Sequence, residues 1–169
     1  KTSIFLFLVI ICYCNIMAHI DDDSWSNLTE QEKLENIDTL QTDIQKEKYI
    51  NKLDNDSDKA NIYTQFAEQE KSKGNLSKAE KFYQEALEIQ ENIGEEEEIG
   101  RGIFRLGYIL LLQNKLIEAI EMFSKSEAIF KSNNSYTRLS TVYTTMGRAY
   151  YEMDDYEEAL KKLEKGLDL

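Results

Sequence analysis

The sequence predicts an all-α protein, a solenoid of about three helical hairpins preceded by a signal-like helix. Three observations lead to this prediction. The 169 residues contain no proline and only seven glycines, whereas about 5% of an average chain is proline. Apolar residues recur at the spacing of an amphipathic helix. The whole pattern repeats every 40 residues, as Ala79, Ala119 and Ala159 illustrate.

The composition excludes several other classes of protein. Proline and glycine are the residues that interrupt helices, so their scarcity argues against collagen, a proline-rich linker or a turn-rich β-sandwich. A hydrophobic fraction of 41% argues against a wholly disordered chain. The length allows one domain of ordinary size.

The net charge is −12, and it is unevenly distributed. Residues 1–20 carry +1, residues 21–60 carry 5 − 12 = −7, residues 61–100 carry 4 − 10 = −6, and residues 101–169 carry 10 − 10 = 0. Binding to nucleic acid needs clustered Lys and Arg on the surface. We therefore expect no nucleic-acid partner for this region.

Residues 1–18 form the pattern of a signal peptide or a membrane anchor. An apolar run of about fifteen residues follows Lys1, and Ala18 then precedes the triplet Asp21 to Asp23. The run is shorter than the roughly 20 residues that span a bilayer, which favours cleavage near Ala18 over an uncleaved anchor. The charge on either side predicts that residues 21–169 lie outside the cytoplasm, either exported (periplasmic or secreted) or anchored to the membrane only through this segment. Because the chain begins with Lys, we also expect a fragment or a missing start codon.

Cysteine and histidine are too rare for most catalytic or metal sites. The two cysteines, Cys12 and Cys14, lie inside the apolar run, and His19 is the one histidine. A Ser-His-Asp triad, a two-histidine metal site and a disulfide after residue 18 are thereby excluded. We expect no enzyme activity, no catalytic residues, no metal and no cofactor.

Residues 19–59 are predicted to be an acidic helical lead-in. Thr29 and Glu32 make a capping-box pattern at a helix start. A helical stripe of apolar residues follows at Leu34, Ile37, Leu40 and Ile44. The alternative is a solvated acidic linker.

Residues 60–169 contain the repeat, in units of about 60–99, 100–139 and 140–169. Each unit is predicted to be two helices joined by a short polar turn, with first helices that start at Tyr63, Ile103 and Tyr143. Small residues occupy three columns of the repeat, where two helices must approach closely. These columns are Ala67, Gly107 and Gly147; Ala79, Ala119 and Ala159; and Ala86, Ser126 and Gly166. Gly94 and the pair Asn133 and Asn134 are predicted to end the second helices.

The segments NIYTQFAEQEKSKGNLSKAEKFYQEALEI, GIFRLGYILLLQNKLIEAIEMF and YTTMGRAYYEMDDYEEALKKLEKGL resemble the tetratricopeptide repeat (TPR). The usual TPR has 34 residues and often a proline at the end of its second helix, so this chain resembles the longer, 40-residue variety. The resemblance implies a right-handed superhelix with a concave groove that binds peptides or other proteins.

The family's groove is lined by the first helix of each unit, which implies twelve candidate residues. They are Asn61, Thr64, Glu68 and Lys71 in repeat one; Arg101, Phe104, Tyr108 and Leu111 in repeat two; and Thr141, Thr144, Arg148 and Tyr151 in repeat three. The middle of this surface is aromatic and apolar, with an arginine on either side, which favours an acidic or amphipathic peptide. The alternative is that residues such as Phe104 and Leu111 pack on neighbouring helices.

One known ligand class of the family is disfavoured. The family's carboxylate clamp has Asn at the positions that Glu68, Tyr108 and Arg148 occupy here. A chaperone-tail ligand is therefore not expected.

Two functional hypotheses follow from the resemblance. The first is a non-catalytic, exported TPR scaffold that binds a protein or peptide. The second is the truncated sensory region of a larger membrane-bound signalling protein, a bacterial histidine kinase or transcriptional regulator. The second is suggested by the end of the sequence at Leu169, within the last predicted helix, where Leu160, Leu163 and Leu167 await a covering helix.

Overall fold

The computed structural model describes residues 43–169, and this part of the chain is all-helical. It contains α1 (Asp43–Ile50), α2 (Asp56–Ser72), α3 (Leu76–Ile93), α4 (Glu96–Leu112), α5 (Leu116–Ser132), α6 (Tyr136–Glu152) and α7 (Tyr156–Leu167). The all-α prediction is confirmed. The signal-like helix at 1–18 and the lead-in up to residue 42 lie outside the described residues.

The chain divides into two units, Lys1–Asp54 and Asn55–Leu169. Helix α1 belongs to the first unit. The second unit holds three antiparallel hairpins, α2–α3, α4–α5 and α6–α7, in which each helix packs on the next along the chain. This is the predicted three-hairpin solenoid.

The helices of the second unit start every 20 residues, at positions 56, 76, 96, 116, 136 and 156. Five turns separate them, and each contains one residue with a left-handed backbone: Gly74, Gly94, Asn114, Asn134 and Asp154, with φ between 53° and 82°. After Gly74, Asn114, Asn134 and Asp154, the next N–H donates to the carbonyl five residues back at 2.8–3.0 Å. This bond satisfies a helix-terminal carbonyl that would otherwise lack a donor.

The predicted starts of the first helices were wrong by seven residues. Tyr63, Ile103 and Tyr143 lie inside helices that begin at 56, 96 and 136. The true starts carry polar signals: the Asn55 side chain accepts a hydrogen bond from the Ser57 N–H at 2.8 Å, and Glu96 opens an acidic first turn. The apolar columns therefore locate the buried face of each helix, whereas the caps decide where it begins.

The columns of small residues lie where helices cross closely, as predicted. Ala67, Ala79 and Ala119 have no exposed surface. A Cβ at Gly107 would be 2.8 Å from the Phe123 ring, closer than carbon atoms approach without displacement. Large side chains then fill the space between the crossing points.

One pair of columns conserves side-chain volume across the repeats. In repeat two, the Ser126 hydroxyl of α5 donates to the Gly100 carbonyl of α4 at 2.9 Å. In repeat three the two residue types are exchanged, and Ser140 of α6 donates to the Gly166 carbonyl of α7 at 2.6 Å. Repeat one has alanine at both positions. Each pair thus places two side-chain heavy atoms at the crossing, and each serine hydroxyl finds a backbone acceptor.

A continuous core joins repeats two and three. It consists of buried side chains from α4, α5 and α6: Leu110, Leu111, Ala119, Phe123, Phe130, Leu139, Val142, Tyr143, Met146 and Ala149. Helix α7 ends the second unit, and its outer face leaves Leu160 and Leu167 59% and 85% exposed. Among the residues described, no helix is both long enough and apolar enough to cross a membrane.

The left-handed turns predict a backbone cost when a side chain is added. The position of a Cβ at Gly94 has no atom within 4 Å, so Gly94→Ala causes no clash. The φ of +82° still disfavours an L-residue, by roughly 1–2 kcal/mol. We expect the free energy of unfolding in urea to fall by about this amount. Ser124→Ala, at an exposed helical position of α5, is the control and should change it little; equal effects of the two variants would contradict the explanation.

Candidate functional site

A cavity of about 530 Å³ opens among the first helices of the three hairpins. Helices α2, α4 and α6 supply most of its walls, and α3 and α5 contribute one residue each. The lining residues are Glu68, Lys71, Tyr83, Arg101, Phe104, Arg105, Tyr108, Phe130, Arg138, Thr141 and Thr145. The volume lies within the usual range of ligand pockets.

Six of the twelve predicted groove residues line this cavity: Glu68, Lys71, Arg101, Phe104, Tyr108 and Thr141. Five others lie on the first helices outside it: Asn61, Thr64, Thr144, Arg148 and Tyr151. Leu111 is 2% exposed and packs in the core, so its side chain is not presented to a ligand.

The mismatch has a geometric cause. The lining residues come from the C-terminal half of α2, the middle of α4 and the N-terminal half of α6. Successive hairpins therefore contribute positions displaced toward the helix N-terminus. The prediction transferred the same four positions to every repeat without this displacement.

Five lining residues were missed: Tyr83, Arg105, Phe130, Arg138 and Thr145. Arg105 lies four residues after Arg101 on the same face of α4, and that spacing could have identified it. Tyr83 and Phe130 belong to second helices, which the family pattern assigns to the outside, so no sequence signal indicated them.

The cavity is basic although the chain is acidic. Its walls carry four cationic side chains against one carboxylate, a balance of 4 − 1 = +3. Three of the cations have a carboxylate partner: Lys71 pairs with Glu68, Arg101 with Glu98 at 2.6 Å, and Arg138 with Glu97 at 2.6 Å. Two glutamates of the acidic run at the start of α4 thus neutralise arginines of the cavity.

Arg105 is the remaining cation. Within the described part of the chain, its guanidinium has no hydrogen bond or ion pair within 4 Å. Burial and the neighbouring Arg101 charge lower the pKa of Arg105, against weaker attraction from Glu98 and Glu68. The fold therefore holds a positive charge in surroundings that disfavour it.

Glu68 and Tyr83 form a fixed pair at one side of the cavity. The Tyr83 hydroxyl donates to the Glu68 carboxylate. Burial and this bond raise the pKa of Tyr83 above its usual range. Burial also acts to raise the pKa of Glu68, but hydrogen bonds from Lys71 and Tyr83 outweigh it and the pKa is lowered. Both groups therefore keep their ordinary charge states, a neutral phenol and a carboxylate, at neutral pH.

Aromatic rings supply the apolar part of the walls. Phe104 packs against Phe123 with ring centroids 5.5 Å apart. The Lys71 ammonium lies 5.8 Å from the centre of the Tyr108 ring, and the Arg138 guanidinium 6.0 Å from that of Phe130. Aromatic residues beside arginines are the combination that contributes most at protein interfaces.

The predicted residues outside the cavity have other contacts. Arg148 pairs with Glu152 at 2.8 Å, and this hydrogen bond raises the pKa of Arg148, with a smaller contribution from Tyr108. Tyr151 packs edge-on against Tyr156 of α7. Among residues 43–169, no cluster of three or more His, Cys, Asp or Glu side chains is arranged to hold a metal ion.

Comparison with known proteins agrees with this geometry. The tetratricopeptide repeat family model matches residues 58–132 and 101–169. No protein with a curated description shows significant sequence similarity to the chain.

Three solved structures share the fold at low identity. BtubC (BKLC) from P. vanneervenii matches with a TM-score of 0.66 and 22% identity, over 82% of this chain and 57% of that one. The TPR domain of Arabidopsis FLU matches with a TM-score of 0.64 and 22% identity, over 68% and 96%. Aspartyl phosphate phosphatase F from Bacillus subtilis matches with a TM-score of 0.68 and 13% identity, over 73% and 33%. The chain thus spans just over half of the first structure and a third of the last.

The state of Arg105 predicts a stability effect. A cation whose pKa is lowered by folding opposes folding at every pH at which it is charged. Arg105→Met removes that charge and keeps an apolar stem, so we expect the free energy of unfolding to rise, by about 0.5–2 kcal/mol as for comparable stabilising substitutions. Urea denaturation at pH 7 measures it. Arg148→Met, which removes an exposed and paired arginine, is the control and should give no gain. A loss of stability in Arg105→Met would show that Arg105 supports the fold.

Proposed function

Because the chain belongs to the tetratricopeptide repeat family, whose folds bind protein or peptide partners, we propose that it is a non-catalytic binding module whose partner occupies the cavity among α2, α4 and α6. The family match covers residues 58–169, which is more than half of the chain. The proposal concerns which surface of this chain does the binding.

The cavity is the observation that supports the proposal. It combines aromatic walls with charged groups on one face of the solenoid, and residues from all three repeats line it. An extended peptide that crosses the first helices would contact each repeat in turn. Peptide recognition of this kind uses apolar pockets for affinity and a few polar groups for orientation.

We propose further that the module acts outside the cytoplasm. The support is the sequence alone: the short apolar run in residues 1–18, the small residue Ala18 and the acidic segment after it. Membrane contact, under this proposal, is limited to that segment. An anchored form differs from an exported one only in whether cleavage occurs.

The alternative proposal is that these residues are the sensory region of a larger signalling protein. Its support is the apolar outer face of α7, where Leu160 and Leu167 are exposed. A gene that continues after Leu169 into a span of about 20 apolar residues and then a histidine kinase or DNA-binding domain would favour it. The binding surface would be the same in both cases.

The binding proposal predicts which aromatic residue matters. Peptides are selected on the full chain from a phage-displayed random library, and the most enriched peptide is titrated by fluorescence anisotropy. Tyr108→Ala, in the cavity wall, should weaken binding about tenfold or more, as for a hot-spot residue. Tyr151→Ala removes an exposed tyrosine outside the cavity and should change affinity less than twofold.

Circular dichroism checks that both variants remain helical. No enrichment of any peptide, or an equal loss in the two variants, would contradict binding in the cavity.

The export proposal predicts a processed N-terminus. When the complete gene is expressed in a secreting host, we expect mature protein that begins within a few residues of Ala18, found outside the cytoplasm. Mass spectrometry of the N-terminal peptide measures it. Replacing Ala18 with Arg should block cleavage, because signal cleavage sites require a small residue. An intact N-terminus in the cytoplasmic fraction would refute export.

A further inference from the structure

The cavity contains one positive charge that the described protein does not neutralise. Lys71, Arg101 and Arg138 each lie against a glutamate. Arg105 lies between them on α4, and within the described residues no carboxylate comes within 4 Å of it. Its guanidinium carries five N–H donors and no acceptor, so a ligand that satisfies it must offer acceptors.

The groups around Arg105 narrow the chemistry of that ligand. Thr141 and Thr145 already donate their hydroxyl protons to carbonyls of their own helix, at 3.1 and 2.8 Å. Phe104 and Phe130 make the adjacent wall apolar. The Arg105 site therefore combines a cation that lacks an acceptor with an apolar surface beside it.

We propose that a peptide bound in the cavity places one aspartate or glutamate side chain on Arg105, with a neighbouring apolar side chain against Phe104 and Tyr108. This inference rests on the proposed function, and it specifies the chemistry of the partner. Arg105 would be the residue that selects an acidic peptide.

A side chain fits this position better than a chain terminus. Arg105 lies on the middle of the three first helices, and lining residues from α2 and α6 lie on either side of it. A peptide that crosses all three repeats continues past Arg105 in both directions. Its contact there is then an internal residue.

A single carboxylate also fits better than a polyanion. Three of the four cations in the cavity have their own glutamates, which leaves 4 − 3 = 1 positive charge without a partner. The whole chain carries −12, which repels a polyanion at long range. One carboxylate pairs bidentately with one guanidinium.

The free protein and the complex differ in how Arg105 is stabilised. In the free protein, burial and the Arg101 charge disfavour its positive charge. A bound carboxylate supplies the missing counter-charge in a site where water screens little, so the interaction is stronger than on an open surface. The charge that opposes folding is therefore the one that favours binding.

The test is a double-mutant cycle with the most enriched library peptide, synthesised with an amidated C-terminus. Each Asp or Glu of the peptide is changed to Asn or Gln and titrated against the full-length chain, Arg105→Gln and Lys125→Gln. Lys125 is exposed on α5 and outside the cavity, so Lys125→Gln makes the same change in net charge elsewhere.

For one acidic position, we expect at least a tenfold loss of affinity on the unmodified chain and on Lys125→Gln, and less than a threefold loss on Arg105→Gln. Equal losses on all three proteins would overturn the role of Arg105. So would enriched peptides without Asp or Glu, or binding that requires a free C-terminal carboxylate.

These failures are distinguishable from failure of the proposed function. A peptide that loses affinity in Tyr108→Ala but needs no acidic residue would leave the binding module intact and refute only the Arg105 contact. A library that yields no peptide would overturn both.

Discussion

Every structural property of the second unit depends on the strict length of its helices. A left-handed residue stops the chain at positions 74, 94, 114, 134 and 154, so each helix and its turn occupy 20 residues. Equal helices keep the same columns of small residues in register from one hairpin to the next. Register then allows the close crossings at Ala67, Gly107 and Gly147 and the continuous core from α4 to α6. A turn that was one residue longer would rotate the following helix by about 100° and remove its apolar face from the core.

The cavity follows from that regular stacking together with a progressive displacement between hairpins. Positions near the end of α2, the middle of α4 and the start of α6 come together on one face. The acidic run Glu96 to Glu98, placed at the N-terminus of α4, satisfies the helix end and also reaches two arginines. A charge pattern that looks like a solvated loop in sequence therefore sets the electrostatics of the site, and it leaves Arg105 as the cation without a partner in the described chain.

Sequence was sufficient for the fold class because the repeat states it three times. The columns of small and large residues, the turns and the residues that end the helices could all be predicted from spacing. Helix starts could not, because the prediction relied on apolar positions such as Tyr63 and passed over the cap at Asn55. Half of the candidate groove was correctly located in the cavity wall. The other half was missed because the displacement between hairpins is a three-dimensional property, and because Tyr83 and Phe130 reach the cavity from second helices.

The exchange of serine and glycine between repeats has a consequence for how such hairpins can diverge. Repeats two and three differ at this crossing by two substitutions that compensate each other: glycine then serine in α4 and α5, serine then glycine in α6 and α7. A single substitution would leave two serines, with four side-chain atoms in the space of two, or two glycines around a void, and either is destabilising. The alanine pair of repeat one avoids both problems and lies one methyl group from each arrangement. Drift at this crossing is therefore expected to pass through alanine, and the two positions should change together in descendants of any one hairpin.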